Sequence, residues 1–131
     1  RVKSPRGERV VKVAINRDNK ILLLRGADKL WELPGGHVDS GEEVLAALKR
    51  EVKEETNLKI DIDIVQDLSQ TKDGNKHTKW YRYHDQSDKK VKISDEHIDH
   101  KWVSYKKIDK YKLSPMTNKL AIISSFYENI K

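Results

Sequence analysis

The chain has 131 residues and no cysteine. Disulfide frameworks, thiolate zinc sites and thiol nucleophiles are therefore excluded. No apolar run approaches the roughly 18 residues that a membrane-spanning helix needs, and the opening residues lack the pattern of a signal peptide. These absences favour a cytoplasmic protein that does not act on membranes, and we expect one.

Proline and glycine are also scarce, with three and six copies. No Pro/Gly/Ser-rich linker, internal repeat or low-complexity tract divides the chain. A length of this order fits one hydrophobic core. We therefore predict a flexible N-terminal segment over residues 1–8 and a single domain over 9–131.

Charge, by contrast, is abundant: charged residues make up 37% of the chain and the net charge is +6, against a usual charged share of about a quarter. Lysines are concentrated in residues 72–112. A basic balance favours polyanionic partners such as nucleotides or RNA. A lysine-rich solubilising surface explains the same composition, so charge alone does not decide the partner.

The order of secondary-structure patterns indicates an α/β (α+β) fold with a mixed β-sheet flanked by helices. A hairpin is expected around the turn-like residues 16–19, and residues 35–36 are expected to open a loop. Apolar and acidic residues alternate strictly in segment 60–64, which predicts a half-buried strand. We expect this strand to pair with 79–84 across a turn at 72–76. The strands are predicted at 9–15, 21–25, 31–33, 60–64, 79–84 and 101–105, and the helices at 42–56 and from Pro115 onward, where Leu120, Ile123, Phe126, Tyr127 and Ile130 recur at helical spacing.

The central helix is the most informative element. It is predicted from Glu42 to Thr56, with Asp39 or Ser40 as N-cap and acidic residues in its first turn. Its apolar residues fall on one stripe about 100° wide, and Glu51 and Glu55 lie one turn apart at the edge of that stripe. Glu54 lies beside them. The residues of the stripe are Val44, Leu45, Leu48 and Val52.

Three carboxylates at a half-buried edge repel one another, and partial burial adds to the cost. A divalent cation would reverse that effect, and Mg²⁺ prefers hard oxygen ligands that it shares with substrate phosphates. Arg50 can reach Glu54, four residues on, and orient it. The alternative is an ordinary charged helix with Lys/Glu pairs on its solvent side.

The spacing of these residues resembles the Nudix box: Gly, five residues, Glu, seven residues, Arg-Glu, an aliphatic, any residue, Glu-Glu, any residue, Gly and an aliphatic. At average residue usage, a match of this length arises by chance in roughly one such chain per million. One position differs, because Asn57 stands where the family has its second glycine. Asn is the next best residue for the left-handed turn after a helix, so we expect the turn to survive. The matching residues are Gly36, Glu42, Arg50, Glu51, Val52, Glu54, Glu55 and Leu58.

The resemblance implies a Nudix-like α/β/α sandwich and metal-dependent hydrolysis of the diphosphate linkage of a nucleoside-diphosphate derivative. It implies that Glu51, Glu54 and Glu55 ligate Mg²⁺ or Mn²⁺, with the backbone carbonyl of Gly35. It further implies that Arg50 and Glu42 position these ligands. A metal-activated water would attack phosphorus, with a glutamate of the box or of a later loop as base. Glu96 is the later-loop candidate as ligand or base, although Asp95 or His97 could serve instead.

Several residues are candidates for substrate binding. Gly36 permits close approach of the backbone to phosphate, and His37 lies beside it. Tyr81 and Tyr83 share one face of a strand and could stack a base, although core packing explains either one more simply. Arg25 and Trp31, near the glycine loop, are weaker candidates.

Three functions remain open at this stage. The leading hypothesis is a Nudix pyrophosphohydrolase acting on a nucleoside triphosphate, an ADP-ribose-like compound or a dinucleoside polyphosphate. A second is a pyrophosphohydrolase acting on RNA 5′ ends, which the basic region would suit. A third is a non-catalytic nucleotide- or RNA-sensing module, which the complete set of box acids disfavours. The partner is a nucleotide or an RNA end, and the chain is a monomer or a homodimer.

Overall fold

A computed structural model describes residues 7–115 and Ile122. Within residues 7–115, seven strands form one mixed sheet and one α-helix packs against it. This arrangement confirms the predicted mixed sheet with flanking helical structure. None of the helices in the described part of the chain combines the length and apolarity needed to span a bilayer. The elements are β1 Glu8–Arg17, β2 Lys20–Gly26, β3 Trp31–Glu32, β4 Gly35–His37, α1 Val44–Thr56, β5 Gln66–Asp73, β6 Lys76–His84 and β7 His97–Ser104.

The predicted hairpin is present, and β1 and β2 are joined by the two-residue turn Asp18-Asn19. Both residues have positive φ, 52° and 62°, which the type I′ hairpin turn requires. The two strands pair only next to the turn. Further along, β1 pairs in parallel with β6 over nine residues and antiparallel with β4. The divergence of β1 from β2 leaves room for β4, which was expected to be loop but is a short strand.

The helix begins at Val44 rather than Glu42, and the predicted N-caps Asp39 and Ser40 are wrong. Its N-cap is Glu43, which makes no side-chain cap hydrogen bond, and its first turn contains no acidic residue. The reason is a separate turn before the helix, in which the Glu42 N–H donates to the Asp39 carbonyl and the Glu42 carboxylate accepts from the Asp39 N–H, both at 3.0 Å. The helix ends at Asn57 in the left-handed conformation, φ 62°, as the sequence predicts.

The strand predicted at Ile60–Ile64 is also wrong. Residues Ile62–Ile64 form a 3₁₀ turn that the Asp61 side chain caps by accepting from the Asp63 N–H at 3.0 Å. Ile64 is 55% exposed, so the alternating pattern does not correspond to a buried face. The strand that pairs with β6 is instead β5, across the turn at Gly74-Asn75.

Two apolar clusters cover the two faces of the sheet. One contains Val11, Val13 and Ile15 of β1 and packs against the buried face of α1. The other contains Ala14, Trp31 and Trp80 together with Ile122. The predicted C-terminal helix otherwise lies outside the described residues, as do residues 1–6 of the predicted flexible segment. Of that segment, Glu8 already belongs to β1.

Candidate active site

Helix α1 places its glutamates against strand β4. Glu51 and Glu55, one turn apart, are only 6% and 5% exposed, and thus lie deeper than the edge position that the helical angles indicate. Glu54 has a side chain that is 56% exposed. One Glu55 oxygen accepts a hydrogen bond from the Gly35 N–H at 2.8 Å. The helix and β4 are therefore joined directly at a carboxylate of the candidate site.

These glutamates line a cavity of about 370 Å³. Its walls come from β1, β3, β4, α1 and the start of β7, and they bring together residues that are far apart in the sequence. The residues that line it are Val10, Lys12, Glu32, Gly35, Gly36, His37, Glu51, Glu54, Glu55, Glu96 and His97. All five predicted metal-site residues thus share one cavity, including Glu96 from the loop before β7.

The close packing around β4 leaves no room for a side chain at either of its glycines. A Cβ on Gly36 would lie 2.4 Å from the Glu51 carboxylate, and a Cβ on Gly35 would lie 2.0 Å from the Val11 carbonyl oxygen. Gly35 also has φ +144°, which side-chain-bearing residues rarely adopt. The first glycine therefore lets β4 pass against β1, and the second leaves the space that the Glu51 carboxylate occupies.

Arg50 joins the acidic residues that precede and follow it. Its guanidinium donates to both Glu42 oxygens at 2.9 and 3.0 Å, and to one Glu51 oxygen at 2.8 Å. It also donates to the His37 carbonyl at 3.1 Å. The hydrogen bond to Glu42, followed by that to Glu51, raises the pKa of Arg50 despite its partial burial. The expected contact with Glu54 is present but longest, at 3.5 Å.

The Glu55 carboxyl is poorly compensated by its protein neighbours. Burial raises its pKa to about 7, although Lys12, the Gly35 N–H and His97 each oppose the rise. A nearby cation stabilises the charged form of a buried carboxyl group and so lowers its pKa again. This observation supports a cation site beside Glu55.

A buried network of Lys12, Glu32 and His97 adjoins Glu55. Burial alone would raise the pKa of Glu32, but the hydrogen bond from His97 and the charge of Lys12 lower it to about 2. The same hydrogen bond, with the charges of Glu55 and Glu32, raises the pKa of His97 against the effect of burial. Sequence analysis missed Lys12 and Glu32. The available signal was a lysine inside the apolar run Val10–Ile15, since a buried lysine requires a partner.

Hard oxygen donors fit Mg²⁺ or Mn²⁺ in this cavity. Within residues 7–115 and at Ile122, however, no three acidic or histidine side chains already surround a common point as metal ligands. Arg50 holds Glu51, the Gly35 N–H holds Glu55, and Glu54 faces solvent. The donor chemistry of these side chains therefore suits a divalent cation.

A second cavity, of about 480 Å³, adjoins the acidic one. Both cavities are lined by Val10, and the chain passes from His37 in the first to Val38 in the second. The Tyr81 ring forms part of its wall, with the Lys79 ammonium 5.6 Å from the ring centre. Burial raises the pKa of Tyr81. Arg9 and His77 line this cavity as well.

The other predicted substrate contacts lie outside both cavities. Tyr83 is buried in the core, and its hydroxyl accepts a hydrogen bond from the Asp61 N–H at 3.1 Å. Trp31 is 6% exposed and packs edge-on against Tyr111. Arg25 donates to the Lys29 carbonyl and lies over the Trp31 ring. Packing contacts account for Trp31 and Tyr83, and Arg25 stacks on Trp31. The assignment of these three residues to substrate binding stays a prediction.

Comparisons with known proteins bear on the fold and the family. The family model described as NUDIX domain matches residues 5–122. Among solved structures, a MutT protein from Methanosarcina mazei Go1 is 27% identical, covers 95% of this chain and 96% of its own, and superposes with a TM-score of 0.74. An Ap4A hydrolase from C. elegans is 26% identical over 93% of this chain and 98% of its own, with a TM-score of 0.71.

Sequence relatives match over a shorter stretch. An RNA pyrophosphohydrolase from Pelagibacter ubique is 42% identical over 50 residues, which is 36% of this chain and 32% of that protein. The chain spans about a third or less of the length of the curated relatives that it matches. Fold and family therefore rest on the domain model and the structures, which cover nearly the whole chain.

Proposed function

The chain belongs to the NUDIX family, and we propose that it hydrolyses the diphosphate linkage of a nucleoside-diphosphate derivative in the presence of Mg²⁺ or Mn²⁺. The observation that carries the proposal is the single cavity lined by Glu51, Glu54, Glu55 and Glu96. A divalent cation held there would neutralise the diphosphate and lower the pKa of a water molecule. Glu51, Glu54 and Glu55, with Gly35 and Glu96, are the residues that we propose to hold it.

The chain's own residues prepare the site in three ways. Arg50 fixes Glu42 and Glu51 through its fork of hydrogen bonds. Gly36 leaves the carboxylate of Glu51 its space. Glu96 is exposed on the loop before β7, where it can accept a proton from an incoming water. We assign it the role of ligand or general base.

The second cavity is our proposed site for the nucleoside half of the substrate. Its wall is largely apolar and carries the Tyr81 ring, on which a base can stack. His37 lies where the two cavities meet, and its exposed imidazole is 2.8 Å from a Glu8 oxygen. We propose it as a phosphate contact. This arrangement would let one extended substrate occupy both cavities, with the diphosphate in the acidic one.

The decisive experiment is a substrate panel with Mg²⁺ or Mn²⁺ in which phosphate and mononucleotide release are measured. The panel contains nucleoside triphosphates, ADP-ribose and dinucleoside polyphosphates. Glu55→Gln and Glu51→Gln should each reduce turnover by at least about 100-fold. Glu43→Gln is the matched control, because Glu43 is the exposed N-cap residue of the same helix and makes no side-chain cap hydrogen bond. Full activity of both cavity variants, or no turnover of any substrate by the wild type, would refute the proposal.

RNA 5′ ends are a second candidate substrate class. Arg9 and Lys79 contribute cationic side chains to the second cavity, although Lys79 is also 3.6 Å from Asp67. The partial similarity to an RNA pyrophosphohydrolase points the same way. A triphosphorylated RNA oligonucleotide should then be cleaved with a steep salt dependence, because its binding releases counterions. A salt dependence equal to that of a free nucleoside triphosphate would count against RNA.

A further inference from the structure

Lys12 is a charged residue in the middle of a buried strand. It is 6% exposed, and its ammonium donates to one Glu32 oxygen at 3.2 Å and to the Leu33 carbonyl at 3.1 Å. The second Glu32 oxygen lies 2.9 Å from the Nε2 of His97. Both oxygens of Glu32 are therefore held by cationic or proton-donating side chains, which fixes the carboxylate in one orientation.

His97 continues this chain of contacts toward the acidic cavity. Its side chain is 2% exposed, and the same Nε2 lies 3.9 Å from one oxygen of Glu55. The other Glu55 oxygen accepts from the Gly35 N–H. The Glu55 carboxylate is therefore bounded on both sides, by the backbone of β4 and by the imidazole of His97.

Packing alone gives no reason for this set of charges, in which Lys12 and His97 are buried and Glu32 is partly buried. Replacing a buried ion pair by apolar residues of similar volume is often neutral or stabilising, because charges are costly to remove from water. The network in this chain ends at Glu55, whose carboxylate lines the acidic cavity. Residues that hydrogen-bond or face a metal ligand commonly fix its orientation. Such a role would explain why this network ends at Glu55.

We propose that His97, held in place by Glu32 and Lys12, is a positioning residue that fixes the Glu55 carboxylate in the orientation needed to bind a divalent cation. This inference rests on the proposed function. His97 acts through Glu55 rather than on substrate, because Glu32 occupies its Nε2 and its Nδ1 is buried without a hydrogen-bond partner among the described residues. Glu32 acts one step further away, by orienting the imidazole.

The test measures cation binding without substrate. Free Mn²⁺ is followed by electron paramagnetic resonance during titration of the wild type, His97→Gln, Glu32→Gln and the double variant. His97→Gln should weaken Mn²⁺ binding by about 10- to 100-fold, and Glu32→Gln by less. The double variant should bind no more weakly than His97→Gln, because both changes act on one chain of contacts. His84→Gln, at an exposed position on β6, is the control and should bind as the wild type does.

Kinetics with Mg²⁺ supply a second readout. His97→Gln should lower kcat while KM for the nucleotide changes less than about threefold, since His97 lies outside the proposed nucleoside cavity. A folded His97→Gln variant with wild-type Mn²⁺ affinity would overturn the inference, as would strictly additive effects in the double variant. If His97→Gln does not fold, Glu32→Gln decides, and unchanged Mn²⁺ affinity in that variant would overturn it.

The outcomes also separate this inference from the proposed function. If the wild type binds Mn²⁺ and hydrolyses a nucleotide while Glu55→Gln does neither, the proposed function stands whatever His97→Gln does. If the wild type neither binds Mn²⁺ nor turns over any substrate, the proposed function fails and the role of His97 in cation binding fails with it.

Discussion

Gly36 offers the sharpest single test of the site, because the atoms nearest to an added methyl group all belong to the Glu51 carboxylate. In Gly36→Ala the new Cβ would lie 2.4 Å from the Glu51 carboxylate. An ordinary contact is about 3.5 Å, so the carboxylate must retreat by roughly 1 Å. Gly36 lacks the positive φ found at Gly35, so the backbone accepts alanine. The strain therefore falls on the candidate ligand and not on the fold.

A displacement of this size is expected to lower kcat by about 100-fold, equivalent to about 3 kcal/mol of transition-state stabilisation. Mn²⁺ affinity should fall by about 10- to 100-fold. The melting temperature should stay within about 5 °C of the wild type, because the cavity gives the side chain room to move. The assay is nucleotide hydrolysis with Mg²⁺, together with Mn²⁺ titration and a thermal melt of the same preparation.

Gly35→Ala is the matched comparison. Its Cβ would lie 2.0 Å from the Val11 carbonyl oxygen at φ +144°, so the main chain must move and stability should fall by about 1–3 kcal/mol or more. Wild-type Mn²⁺ affinity in Gly36→Ala would refute the assignment of Glu51 as a ligand. A loss of stability in Gly36→Ala equal to that of Gly35→Ala would refute the separation of site from fold.

Three further predictions concern stability. Arg50→Lys, which removes the fork between Glu42 and Glu51, should cost about 1–3 kcal/mol in urea unfolding; an unchanged midpoint would contradict it. The folded pKa of Glu32 lies near 2, below its ordinary value of 4.5. Its contribution, about 1–2 kcal/mol after allowance for solvent, should therefore be complete above pH 4.5 and disappear as pH falls toward 2. Glu32→Gln should flatten that part of the stability profile, and an unaltered slope would argue against the network. Asn57→Gly should keep stability within about 0.5 kcal/mol, whereas Asn57→Ala should lose about 1 kcal/mol, since φ is +62° there; equal loss in both would show that the turn does not need a left-handed residue.

Local periodicity was sufficient where one face of an element is buried along its whole length. The body of the central helix follows from such a pattern. Arg9–Ile15 and Ile21–Arg25 were instead predicted from runs rich in β-forming apolar residues, and both strands are buried on both faces. The same reasoning failed at Ile60–Ile64, because alternation does not reveal whether a partner strand is available. The Asp61 side chain offered a competing hydrogen bond, and the chain turned instead.

The prediction of where the helix starts failed for a related reason. Asp39 and Ser40 are good N-caps by composition, but Arg50 draws Glu42 toward the body of the helix, and a separate turn forms at Asp39–Glu42. That contact joins residues eight positions apart. Propensity at a helix terminus gives no information about such a contact.

The sequence alone determined that the three glutamates share one side of a helix, because their spacing along the chain is a local property. The sequence also determined the turn at Asn57 and the family resemblance. Only the tertiary structure decided what surrounds Glu55. Lys12, Glu32 and His97 come from β1, β3 and β7, and they meet because β1 diverges from β2 and admits β4. Strand pairing between distant segments sets that meeting, and no local pattern in the chain encodes it.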